Sequence, residues 1–432
     1  MNIRNSFFDE KLLYKKLKNN LEIFYMPKKG FAKKYAILAT NYGSNDLEFI
    51  SPFDGEHIKL NEGIAHFLEH KMFEQPDGSD AFAEFSKHGA NANAFTNFNM
   101  TAYLFSTTDN FYPSLEHLVS YVNTPHFTDE NVQKEKGIIG QEIKMYDDNG
   151  DWRLFFNTLR GMYINHHNKI DIAGTVESIE KITKEELYKC YNSFYSPSNM
   201  ALFVIGDLDF DKVCEIVEKT ASYEHSFEGQ IKRIMKEEPN EIAKKRIEEE
   251  MEVSIPMFSI GYKEKMNGEM SGEVLARRSI ETEIIMGCLL KKGSELNEYL
   301  YDNQLIFEPL SCEYNAHNDY GYSIISGETR NISQVHEKIK ECLEKAKKDG
   351  IDEEVFERIK KARLGSFVRA FDSIESIANS FLNYYFEGIN YFDIYDHIKA
   401  VTLEDINDRL REHFDETMAV LSIINPIESV GN

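Results

Sequence analysis

The sequence is poor in cysteine, in positive charge and in long apolar runs. Its five cysteines, Cys190, Cys214, Cys288, Cys312 and Cys342, are dispersed over 432 residues without a CxxC pair. That odd, scattered set excludes a disulfide framework and a cysteine-based zinc knot, and suits reduced thiols in a cytoplasmic protein. No stretch approaches the about 18 consecutive apolar residues of a membrane-spanning helix. The opening "MNIRNSFFDEKLLYKKLKNN" lacks the apolar core of a secretory signal. Basic residues number 49 against 73 acidic ones, a formal net charge of −24. Such an excess disfavours nucleic acid and anionic membranes as partners. No GxGxxG or Walker-type loop follows a strand pattern, so nucleotide binding has no support.

What is present is a globular composition, 42% hydrophobic and 28% charged, and enough chain for two to four domains. The chain also repeats itself. "ITKEELYKCYNSFYSPSNMALFVIGDLD" (182–209) resembles "VTLEDINDRLREHFDETMAVLSIINP" (401–426). Each places a threonine and acidic residues at a helix start and runs on into a short buried strand. Upstream, "FTDENVQKEKGIIGQEIKMYDD" (127–148) pairs with "IDEEVFERIKKARLGSFVRAFDS" (351–373), and both offsets are about 220 residues.

Two homologous halves follow: 1–225, a charged linker at 226–250, and 251–432. Strand candidates include "YAILATNYG", "TAYLFSTT" and "YGYSIISGET". Helices come in blocks rather than one after each strand. The expected fold class is therefore α+β, two α/β sandwiches with mostly antiparallel sheets and helices packed on one side.

The stretch "NEGIAHFLEHKMF" (61–73) carries the clearest chemistry. Ile64, Phe67, Leu68 and Met72 recur at helical spacing, while His66, Glu69 and His70 share another face. Residues four apart stand one turn apart, so His66 and His70 can reach one ion, with Glu69 beside them. The order HxxEH reverses the commoner HExxH and marks inverzincins. Catalytic zinc takes three protein ligands, so a third must come from elsewhere. In "EKGIIGQEI" (135–143), Glu135 and Glu142 lie two turns apart on one helix face. The plain alternative for that pair is a solvated acidic face. His166 and His167 lack a third ligand at suitable spacing and read as a polar loop.

"HFLEH", "NANAFTNFNMTAYLF" and "EKGIIGQEI", in this order and spacing, resemble the pitrilysin/insulinase family, which includes the mitochondrial processing peptidases. "IDIAGTVESIEKITKEEL" and "YSPSNMALFVIGDLD" extend the resemblance over the first half, and the repeat extends it to the second. The resemblance implies a clam-like pair of halves. It implies one zinc ion held by His66, His70 and Glu142, with Glu69 as general base. Glu135 would orient a ligand from behind. Asn93, Ala94, Phe95 and Thr96 match the family's edge strand, which takes an extended peptide as an added strand.

The second half departs from the family's "LRxxxGLaY". In "SELNEYLYDNQLIF" (294–307), Tyr301 stands where the Arg is expected and Phe307 where the Tyr is expected. Neither replaces the charged fork or the phenolic donor. The resemblance therefore implies a zinc-bearing subunit whose homologous partner supplies the Arg–Tyr pair, or else a homodimer. Two other readings stand beside the endopeptidase: a non-catalytic structural or peptide-binding subunit, and a maturation protease for one bacterial peptide.

Overall fold

The computed structural model describes residues 3–4, 10–221, 227 and 231–427. The chain packs as two units, neither contiguous in sequence. The first comprises 1–143, 170–235 and 370–386, and the second comprises 144–169, 236–369 and 387–432.

The first unit's strands are β1 (Ile3–Arg4), β2 (Lys11–Lys16), β3 (Glu22–Pro27), β4 (Lys34–Thr40), β5 (Glu48–Ile50), β6 (His57–Lys59), β7 (Asn91–Thr96), β8 (Thr101–Thr107), β9 (Met200–Gly206) and β10 (Lys232–Arg233). A large sheet runs β1-β2-β3-β9-β4-β8-β7, and β10-β5-β6 form a small one. Only the β3–β9 pairing in the large sheet is parallel. β9 is buried at every position and β4 at all but its first, so the middle of the sheet is covered on both faces. Part of that cover is the helix Ile374–Phe386, donated from the far end of the chain, whose Phe381 ring lies 4.8 Å from both Phe24 and Phe203.

The second unit holds β11 (Arg246–Met251), β12 (Met257–Lys263), β13 (Ser311–His317), β14 (Tyr320–Glu328) and β15 (Ala419–Pro426), in the order β11-β15-β12-β14-β13. Here too one pairing, β11–β15, is parallel and the rest antiparallel. That is the order and polarity of β3-β9-β4-β8-β7, so the sequence repeat is a repeat of topology. The helix Gly150–Met162, encoded in the first half, packs on β12 and β15, where Leu154 joins Met257 and Ile424 in a buried cluster.

The mixed α/β class with mostly antiparallel sheets matches expectation. The 226–250 segment holds β10 and most of β11, although 226 and 228–230 lie outside the described residues. Among the described residues no helix is long and apolar enough to cross a membrane.

Candidate metal centre

The stretch around "HFLEH" forms the helix Ile64–Lys71. Ile64, Ala65, Phe67 and Leu68 are buried and anchor one face against β7, β8 and the helix Lys184–Phe194. The helix entry is fixed by a close backbone crossing. Gly63 caps it with φ +86°, a conformation that penalises any side chain, and a Cβ there would sit 2.4 Å from the Ala173 carbonyl oxygen. Gly174, at φ +74°, approaches from the other side, its would-be Cβ 2.6 Å from the Glu62 carbonyl oxygen. Ser178 Oγ donates to that same carbonyl at 2.9 Å, and Asn61 Nδ2 donates to Glu186 Oε1 at 2.8 Å.

One turn apart, His66 and His70 stand edge to face with ring centroids 4.5 Å apart. The helix Asp129–Asp147 brings Glu142 to them. Glu142 Oε1 lies 3.7 Å from His66 Nε2, and Glu142 Oε2 lies 3.4 Å from His70 Nε2. One donor atom from each residue falls within 4.8 Å of the other two, and among the described residues no other trio of His, Cys, Asp or Glu does so. Zinc bound tetrahedrally at about 2.0–2.2 Å needs donors about 3.4 Å apart, so the set fits a zinc ion. One further observation agrees: burial, then the neighbouring His70, lowers the His66 pKa to about 3. A neutral imidazole is the form that ligates a metal.

Glu135, seven residues before Glu142, faces the other side of His70. Its Oε1 lies 3.2 Å from His70 Nδ1. That contact favours the tautomer with hydrogen on Nδ1 and a lone pair on Nε2, the nitrogen facing Glu142. Burial opposes ionisation of Glu135, but the His70 bond and the Lys71 charge outweigh it and hold its carboxyl below the usual range. Burial likewise pulls His70 down, yet its Glu135 bond and the charges of Glu69 and Glu142 raise its pKa overall. Three carboxylates thus surround two imidazoles, an arrangement that favours a cation.

Glu69 is buried beside these groups, and that burial raises its pKa to about 7. Thr96 Oγ1 donates to Glu69 Oε2 at 2.6 Å. Thr96 ends β7, which pairs with β8 alone and forms the sheet edge. Asn93, Ala94 and Phe95 lie along the same edge, so the quartet singled out for substrate sits on an edge strand with Thr96 also holding the Glu69 carboxylate.

Some residues carry meaning the sequence did not disclose. Lys71 carries no signal in the sequence, yet its side chain is fully buried with Nζ 2.6 Å from Glu74 Oε2 and 3.6 Å from Glu135 Oε2. Gly63 and Gly174 gave no signal beyond their residue type. Tyr301 and Phe307 lie in the second unit, 60% and 55% exposed. His166 is not on an open polar loop: it is buried, with Nε2 3.4 Å from Asp319 Oδ2 and Nδ1 accepting from the Asn168 amide. All five cysteines are free, and burial pushes their thiols up to about 11 or 12, which keeps them inert.

Comparison with known proteins agrees with this picture. The family described as "Insulinase (Peptidase family M16)" matches residues 57–176, and "Peptidase M16 inactive domain" matches 181–363. The chain is 42% identical over 404 residues to an uncharacterized zinc protease, YmfH, of Bacillus subtilis, covering 93% of this chain and 94% of that one. It superposes on an M16-like peptidase from Alicyclobacillus acidocaldarius with TM-score 0.92 and 36% identity, covering 97% and 99% of the two chains. Pitrilysin shares the fold at TM-score 0.74 and 16% identity, with all of this chain matching 47% of that one. The chain belongs to the insulinase family of peptidases, family M16.

Proposed function

We infer that the protein is a zinc-dependent endopeptidase acting on short or unfolded peptides. The observation that carries this reading is the convergence of His66 Nε2, His70 Nε2 and the Glu142 carboxylate, with the buried Glu69 alongside. His66, His70 and Glu142 would hold one zinc ion, and Glu135 would orient His70. When bound, zinc supplies Lewis acidity, which acidifies water near neutral pH and polarises a peptide carbonyl.

The remaining steps belong to the chain. Glu69 takes a proton from the attacking water and delivers it to the leaving amine nitrogen as the C–N bond breaks. Thr96 restrains Oε2 of that carboxylate, so the transferred proton falls to Oε1. β7 binds the substrate backbone as an added strand, through main-chain hydrogen bonds that are largely indifferent to side chains. An extended peptide can pair in this way, whereas a folded protein has no free strand to offer.

The same reading makes this chain the zinc-bearing half of a pair. Tyr301 and Phe307 lack the donors expected of a self-sufficient member, and pitrilysin's chain is long enough for two copies of this fold. A homologous partner would supply the Arg and Tyr, with a homodimer as the simpler assembly. A cytoplasmic setting suits five reduced thiols.

Glu69→Gln tests the chemistry. Elemental analysis should find about one zinc per chain in wild type and variant alike, while peptide hydrolysis falls by about 100-fold or more. Hydrolysis by the variant at the wild-type rate would refute the general-base assignment. Absence of zinc from the wild-type protein would remove the metallopeptidase reading and leave the non-catalytic one.

A further inference from the structure

A fully buried lysine beside a proposed metal site calls for a reason. Taking an ammonium out of water is costly unless carboxylates meet it, and an apolar side chain would fill the same space without that cost. Lys71 directly follows His70 and has no exposed surface. Its Nζ lies between Glu74 Oε2 at 2.6 Å and Glu135 Oε2 at 3.6 Å. The other oxygen of Glu135, Oε1, faces His70 Nδ1 at 3.2 Å. The two oxygens of one carboxylate are thus divided between an ammonium and an imidazole. Glu135 is itself largely buried, so solvent offers little alternative hold on it.

We propose that Lys71 is a positioning residue for the metal centre, pinning Oε2 of Glu135 so that Oε1 stays on His70 Nδ1 and the His70 ring keeps Nε2 toward Glu142. The inference rests on the zinc reading above and adds a residue to it. The ammonium of Lys71 pairs with Glu74 and Glu135, and its proposed effect on the centre runs through Glu135. The Lys71–Glu135 contact is an ion pair at 3.6 Å rather than a hydrogen bond, and it biases the carboxylate toward the orientation in which Oε1 meets His70, relative to one held at Oε1 alone.

The alternative view of Lys71, as one more charge near the cation, makes the opposite prediction. Removing a positive charge beside a cation site should tighten cation binding by simple Coulomb attraction. Removing a positioning group should loosen it.

The full-length protein is loaded with zinc, and zinc transfer to a chromophoric chelator is timed for wild type, Lys71→Met, Glu135→Gln and the double variant. Circular dichroism checks that each is folded. Lys71→Met should lose zinc about tenfold faster than wild type, the lower end of what loss of an outer-shell partner costs. The double variant should lose it no faster than Glu135→Gln alone, because Lys71 works through that carboxylate. Unchanged or slower release from Lys71→Met would overturn the proposal, as would full multiplication of the two single effects. Should Lys71→Met misfold, Lys71→Gln in the same cycle gives the same decision. A wild type that binds no zinc sinks the metallopeptidase reading itself; a wild type that binds zinc beside an unaffected Lys71→Met sinks only the role given to Lys71.

Discussion

At the residue scale, the site is a set of divided loyalties. His70 and Glu69 each commit one polar atom to a neighbouring side chain. His70 gives Nδ1 to Glu135 and turns Nε2 to Glu142, while Glu69 gives Oε2 to Thr96. Thr96→Val removes that second restraint and little volume. A hydrogen bond to a charged group contributes about 1.5–3 kcal/mol, so kcat should fall about tenfold or more with KM little changed, as steady-state kinetics on a peptide would read. An unchanged kcat would mean that Thr96 only pairs strands. Helical period made legible that His66, Glu69 and His70 share one face and that Glu135 and Glu142 share another; that Glu142 joins the histidines was implied only by the family resemblance. Lys71 was not legible, since an ion pair formed with a helix about sixty residues away leaves no local pattern.

At the element scale, the metal helix depends on how its first turn is held. Gly63 and Gly174 let two backbones cross closer than any Cβ permits, and Ser178 bridges the crossing. Gly174→Val adds both a strained φ and a clash with the Glu62 carbonyl. Strained backbone of this kind costs about 1–3 kcal/mol, and the clash adds to it. We expect a lower thermal unfolding midpoint, with zinc content falling as His66 and His70 shift from Glu142. A variant with wild-type midpoint and full zinc would show that the crossing does not set the helix position. "AGTVES" (173–178) carries a family resemblance in the sequence. Its physical task, clamping a helix start more than a hundred residues upstream, required the folded chain to be seen.

At the scale of the whole molecule, two features have consequences. The first is the exchange of helices. The sheet of the first unit is covered in part by Ile374–Phe386, and that of the second by Gly150–Met162. Expression of residues 1–225 alone should therefore give an aggregation-prone product, since the face of β4 and β9 under Phe381 would meet water. A monodisperse, cooperatively unfolding fragment would contradict this.

The second feature is a buried ionic cluster in the second unit. Arg409 Nη1 and Nη2 donate to the two oxygens of Glu264 at 2.8 and 2.5 Å, and Arg278 adds a bond at 2.9 Å. His413 Nδ1 lies 2.9 Å from Glu264 Oε2, and its Nε2 lies 2.6 Å from Ser323 Oγ. Burial opposes the Glu264 charge, but His413 and Arg409 hold its carboxyl well below the usual range. Burial, then Arg409, lowers the pKa of His413. Both folded pKa values lie below the unfolded ones: the Glu264 carboxylate stabilises at neutral pH and loses that contribution as pH falls, whereas His413 is neutral in both states at neutral pH and destabilises the fold once pH falls below its unfolded value. The difference in unfolding midpoint between wild type and His413→Asn should be constant above about pH 6.5 and move against wild type below it, as His413 is forced to charge; the Glu264 contribution is lost below about pH 4.3 as the carboxylate takes a proton. Arg409→Met, which leaves Arg278 as the cation bonded to that buried carboxylate, should cost about 1.5–3 kcal/mol in denaturant unfolding.

The sequence by itself determined which residues share a helix face, which strands alternate or run apolar, and that one topology occurs twice. These are local periodicities, fixed by the geometry of 3.6 residues per turn or 2 per pleat. Tertiary structure alone decided that the faces of Ile64–Lys71 and Asp129–Asp147 meet, that Lys71 turns inward to Glu135, and that each sheet is covered by a helix from the other half of the chain. Such pairings depend on which apolar surfaces find each other across long sequence separations, and no local period encodes that choice.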